Sequence, residues 1–186
     1  MRRVIGVVSL ACLAVAPATV TAAAFKLESS TIKPGATLTE EQVYNGFGCD
    51  GKNVSPALRW SGAPAGTKSF AVTLYDPDAP TGHGWWHWVV FNIPAGTTSL
   101  VEGAGSADGA KLPAGSVQGR TDFGAPGFGG ACPPKGAKPH HYVFTVYALK
   151  IEKLDVPADA APAKIGSMIR ANELGSGTLT AKYGRK

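Results

Sequence analysis

A mainly β fold, a sandwich with one helix near the C-terminus, is predicted by three observations on this sequence. Two apolar, alternating runs, Phe70–Tyr75 and Trp86–Ile93, flank a short turn-rich segment. A third run, His140–Lys150 (HHYVFTVYALK), is dense in β-branched and aromatic residues, and nearly every position is apolar, as in a strand covered on both faces. Helical spacing occurs late, over about Ala158–Glu173, while 24 Gly and 14 Pro punctuate the chain with turns.

Taken in order, residues 1–24 read as a secretory leader. Arg2 and Arg3 supply the positive start, Val4–Val15 an apolar run, and Ala22-Ala23-Ala24 a small-residue cleavage site. The run is too short to span a bilayer, so residues 25–186 are expected to form one domain, periplasmic or secreted, with no transmembrane anchor. Lipidation at Cys12 is disfavoured, because Ser9 stands where such a site wants leucine. Loss of Arg2 and Arg3 lowers the net charge from +5 to +3, and the remaining charges are scattered, so no nucleic-acid footprint is visible. Two cysteines then remain, Cys49 and Cys132, both in Gly-rich loops; in an oxidising compartment a disulfide is favoured, with two buried free thiols as the alternative.

Phe25–Glu28 alternates as a short strand, and with the Lys33-Pro34-Gly35 turn residues 25–45 read as hairpin material. Asn45–Asn53 is a cluster of turn residues that leads into an extended segment at Ser55–Trp60. The first central strand, Phe70–Tyr75, is stopped by Asp76-Pro77-Asp78-Ala79-Pro80, where two prolines remove donors and the aspartates favour turns. Between Gly103 and Pro139 stand ten glycines and five prolines, a loop long enough to be functional. In the helical stretch Ile165, Met168 and Ile169 form the apolar stripe, Asp159 is available near the start, and Gly175 can end it. Thr178–Tyr183 alternates as a last short strand.

The four histidines fall in two places, His83/His87 and His140/His141, each beside a proline-rich turn. By strict alternation His87 shares a face with Val89 and Phe91, and Asp76 shares one with Phe70, Val72 and Leu74. Both should point inward at neighbouring strand ends, where Asp76 can hydrogen-bond and orient His87. Acid, imidazole and the aromatic surface of Trp85, Trp86 and Trp88 together describe a small anion site. Blander readings remain: a turn for Asp78, a satisfied core imidazole, and core or rim packing for the Trp group. No Gly-x-Ser-x-Gly elbow or His-Glu-x-x-His helix is present, and spacing does not support a metal site from Asp76, Asp78, His87 and His140. No cofactor or metal is expected, and the chain is not read as an enzyme.

Several blocks together resemble the phosphatidylethanolamine-binding protein family, in its bacterial, Raf-kinase-inhibitor-like branch. They are Asp76–Pro80, Trp86-His87, and the stretch from Pro133-Pro134-Lys135-Gly136 to His140-His141-Tyr142. Phe47–Gly51, Gln118-Gly119-Arg120, Asp122-Phe123-Gly124 and Tyr183-Gly184-Arg185 look like the same branch. The resemblance implies a β-sandwich of two antiparallel sheets with Greek-key connections and an anion cleft at the strand ends. That cleft would be lined or supported by Asp76, Asp78, Pro80, His87, Cys132, Pro133, His140 and Tyr142. Phosphate, phospho-head groups and phosphorylated side chains are the implied ligands, and several members inhibit kinases or proteases. Cys132 stands where eukaryotic members often have glycine, which narrows the cleft edge or ties it to Cys49. An exported protein meets no cytoplasmic kinase of its own cell, so kinase regulation transfers poorly. A hydrolase using the same Asp/His cleft, a protein-interaction module with a vestigial cleft, a protein partner and a homodimer stay open.

Overall fold

The computed structural model describes residues 24–186, so the expected leader lies outside the described residues except for Ala24. The strands are β1 (Lys26–Glu28), β2 (Asn45–Gly46), β3 (Cys49–Asp50), β4 (Leu58–Ser61), β5 (Ser69–Asp76), β6 (Trp85–Pro94), β7 (Ser99–Leu100), β8 (Val117–Gln118), β9 (His140–Leu149) and β10 (Glu173–Tyr183). The helix α1 (Pro162–Ala171) lies between the last two. Five strands form the main sheet in the order β10-β9-β5-β6-β8, three form a smaller sheet, β1-β4-β7, and β2-β3 is a two-stranded ribbon. All named pairings are antiparallel. Within the main sheet β9 returns to lie beside β5, giving the neighbours β9-β5-β6-β8; this is the Greek-key arrangement.

Alternation along β5 explains the layering. Phe70, Val72 and Leu74 face one side, with Trp88 and Val90 of β6 and Phe144 and Val146 of β9, and pack against Leu27, Leu58 and Trp60 of the smaller sheet. Ala71 and Tyr75 face the other side, where Val89 and Phe91 meet Ile165 and Ile169 of α1. The second layer over the main sheet is therefore a sheet on one face and a helix on the other. Gly166 allows the close approach of α1, since a Cβ there would stand 2.5 Å from the Trp86 ring.

Three local expectations change. Residues 25–45 do not pair with one another as a hairpin, because β1 takes β4 as its partner. The helix spans 162–171 rather than 158–173, starting at Pro162, whose fixed φ suits a first turn, and closing at Asn172. Gly175 does not end it; the chain enters β10 at Glu173 and pairs with β9 along nearly its whole length, with an irregularity between Glu173 and Gly175. The Gly-Ser-Gly start of β10 has poor strand propensity. At Gly177, however, a Cβ would lie 2.9 Å from the Leu27 amide nitrogen, so the crossing β1 backbone requires glycine there.

Candidate functional site

Asp76 ends β5, immediately before a proline that cannot continue the ladder. Its Oδ1 accepts the Asp78 N–H at 2.8 Å, and its Oδ2 accepts Nδ1–H of His140 at 2.7 Å. Both side chains are buried, so the pair is shielded from solvent. His140 opens β9 on the face that also carries Tyr142, and its committed Nδ1 leaves the Nε2 edge for the cleft.

His87 reaches the same place by an irregularity. Leu74 pairs with Trp88 and Tyr75 with Trp86, so His87 is the extra residue of a β-bulge in β6. Alternation is broken there. Trp86, not His87, shares the helix-facing side with Val89 and Phe91, and His87 turns to the opposite face against Tyr142 and Phe123, at centroid distances of 5.2 and 5.3 Å. Nδ1–H of His87 donates to the Gly129 carbonyl at 2.8 Å and lies 3.1 Å from that of Gly130. Asp76 therefore orients His140, and the backbone of 129–130 orients His87. Burial holds the His87 pKa below the ordinary histidine value, opposed by the Gly129 carbonyl, Asp76 and Asp122, so the ring is neutral at pH 7 with Nε2 as the bare nitrogen.

The two imidazoles face a cavity of about 210 Å³. Of the residues proposed from sequence, Asp76, Pro80, His87, Cys132, Pro133, His140 and Tyr142 line it together. Asp78 does not. Its Oδ2 accepts both the backbone N–H and Nδ1–H of His141 at 2.7 Å, outside the cleft, and these bonds lower its pKa. Cys132 is bonded to Cys49, which joins the cleft edge to the β2-β3 ribbon. The Tyr142 hydroxyl is buried without a well-formed hydrogen bond, and burial followed by Asp76 raises its pKa, so it stays a protonated donor.

Sequence reasoning missed much of the wall: Phe47, Ala79, Thr81, Phe123 and Pro134 also line the cavity, while of the three tryptophans read as aromatic surface of the site, or as packing, Trp85 lines it and Trp86 and Trp88 do not. Trp85 Nε1 is a second buried donor without a partner. Phe47 and Phe123 sit in glycine-rich loops with no strand periodicity to place them; the available signal was an aromatic next to glycine with no apolar run to join.

The fold and cleft define a class: a Greek-key β domain with a paired-histidine cavity at its strand ends. The chain matches the family model "Phosphatidylethanolamine-binding protein" over residues 28–184 and belongs to that family. It is similar to UPF0098 protein YbcL of Escherichia coli, 60% identical over 162 residues that cover 87% of this chain and 88% of that protein. It is also similar to YbhB of the same organism, 52% identical over 158 residues, 85% of this chain and 99% of the relative. Among solved structures, E. coli YbcL, described as a new member of the mammalian PEBP family, superposes with a TM-score of 0.86 at 58% identity. That match covers 88% of this chain and all of that one (100%). A PEBP homologue from Chlamydia trachomatis, CT736, matches with a TM-score of 0.71 at 26% identity, covering 88% and 99%.

Proposed function

We propose that this protein is an exported binding protein whose cleft holds one small anion, a phosphate or phospho-head group, between His87 and His140. The observation that carries the reading is that both imidazoles commit Nδ1 elsewhere and leave Nε2 for one small cavity, beside the unpartnered Tyr142 hydroxyl. Export is supported by the leader-like residues 1–24 and by the Cys49–Cys132 disulfide; among the described residues no helix is long and apolar enough to cross a membrane. Binding rather than turnover is favoured because the candidate nucleophiles are occupied. Cys132 is in the disulfide, Thr81 donates its hydroxyl to the Gly84 carbonyl, and Tyr142 is held protonated. Modulation of a protein partner follows where the anion is carried on a protein side chain.

A pH dependence follows from the neutral His87. An anion at Nε2 favours the imidazolium, so binding draws a proton onto His87. Affinity is then highest in acid and falls as pH rises above the free-state His87 pKa, which lies below 6.5. Stability without ligand should run the other way. The unfolded chain binds the proton more readily, so stability declines as pH drops below about 6.5 and levels off below the folded-state pKa. Calorimetry with dimethyl phosphate, whose single charge does not titrate in this range, should show proton uptake and the acid preference. Affinity that is flat from about pH 5 to 8 would mean that His87 does not hold the anion.

A further inference from the structure

Between Asn53 and the cleft runs one glycine-rich segment, Gly127-Phe128-Gly129-Gly130. Glycine leaves the backbone free to rotate, so nothing within the segment decides where its carbonyls point. The orientation comes from two neighbours, one on each edge. On one edge Gly129 exchanges two hydrogen bonds with His87: its N–H donates to the His87 carbonyl at 2.8 Å, and its own carbonyl accepts Nδ1–H of the ring at 2.8 Å. In an extended chain the polar groups that flank such a residue serve the opposite edge. Both flanking groups meet Asn53. Nδ2–H donates to the Phe128 carbonyl at 2.9 Å, and Oδ1 accepts the Gly130 N–H at 2.7 Å.

A carboxamide suits this place, since it carries a donor and an acceptor side by side and neither titrates. Asn53 is itself held firmly. Its φ of 55° lies in the left-handed region, which asparagine tolerates better than most residues with a side chain. Its N–H donates to the Val43 carbonyl at 2.8 Å, and the N–H groups of Lys52 and Val54 donate to the carbonyls of Glu40 and Glu41 at 2.8 and 2.7 Å. The amide is thus anchored to the 40–43 segment before it reaches across to 128–130. Asn53 does not line the cleft, so its effect on His87 passes through Gly129.

We infer that Asn53 is a positioning residue for His87: it fixes the Gly129 carbonyl, and that carbonyl keeps the ring proton on Nδ1 and leaves Nε2 to the cleft. This deepens the anion reading and rests on it only where affinity is measured. The test is NMR of the imidazole nitrogens at pH 7 on the unsubstituted chain, N53G and N53D, with dimethyl phosphate calorimetry on each. Glycine keeps the left-handed backbone and removes both side-chain bonds. Aspartate keeps the shape and one acceptor, but it cannot donate to Phe128 and sets a negative charge against that carbonyl. The unsubstituted chain should show Nδ1–H at His87. In both variants that signature should give way to a mixture with the Nε2–H form, which a free imidazole prefers, while His140 keeps its own because Asp76 holds it. Dimethyl phosphate affinity should fall by about tenfold, because the imidazolium formed on binding loses the carbonyl that held its other proton. An unchanged His87 tautomer in either variant overturns the inference. Loss of the His140 signature together with that of His87 overturns it as well, since Asn53 then holds the fold at large rather than one ring. A changed His87 tautomer with unchanged affinity overturns the anion contact at His87 and upholds the positioning role.

Discussion

Replacing Asp76 with alanine should remove about 3–5 kcal/mol of folding stability, the usual effect of breaking a buried pair from one side. Anion affinity should go with it. Asp76 and His140 are both buried, and the carboxylate accepts two hydrogen bonds, from the His140 ring and the Asp78 amide. Alanine leaves both donors without a partner in a place that water does not reach. Asp76→Asn separates structure from function. The amide keeps the volume and one carbonyl acceptor, so more than half of the lost stability should return. It can also donate, however, so Nδ1 of His140 is no longer obliged to carry the proton and the role of Nε2 in the cleft is no longer fixed. Phosphate affinity should therefore remain at least about tenfold down in Asp76→Asn, as for loss of the carboxylate that orients a ligand-binding imidazole. Urea unfolding and phosphate calorimetry on both variants check this, and Asp76→Ala within about 1 kcal/mol of the wild type would contradict it.

The double substitution Cys49→Ser/Cys132→Ser should lower stability by about 3–4.5 kcal/mol, because the cross-link closes a long loop, with 83 residues of separation, in the unfolded chain. It also releases one of the ties across the cleft. The bonds from the Arg185 side chain to the Pro133 and Gly48 carbonyls and the bridge between Val43 and Ala131 remain, so the cleft edge should loosen without leaving. The expected signature is a lower urea midpoint, together with weaker binding of inorganic phosphate. A loss under about 1 kcal/mol would show that the unfolded chain is already restrained there.

Particular residues show what could be read without coordinates. The central strands were legible because Phe70, Val72 and Leu74 alternate and the apolar, β-branched 140–149 run can only be a covered strand; β5, β6 and β9 are these segments. Asp76, His87 and His140 were legible as strand-end residues beside turns, Tyr142 only through the family resemblance, and the cavity contains all four. Their partners were not. Period-two reasoning assumes an unbroken ladder, and the bulge at His87 breaks it, so the ring turns from the helix side to the cleft and takes the Gly129 carbonyl instead of Asp76. Gly130 shows the same limit: a Cβ there would run into the Gln42 carbonyl, a contact between loops far apart in sequence. The short strands β7 and β8 were missed because two residues carry no period, and β10 was cut short because its glycines answer to the packing of β1 rather than to propensity.

The four histidines offer the most direct test of the cleft, since only two of them line it. His87 and His140 face the cavity, while His141 is held outside by Asp78 and His83 lies in the exposed 81–83 turn. Imidazole nitrogens can be followed by NMR while inorganic phosphate is added at constant pH. Large shifts at Nε2 of His87 and His140, saturating together, with His83 and His141 unmoved, are the predicted result. Shifts confined to His83 and His141, or no saturable shift at any ring, would contradict an anion held between His87 and His140.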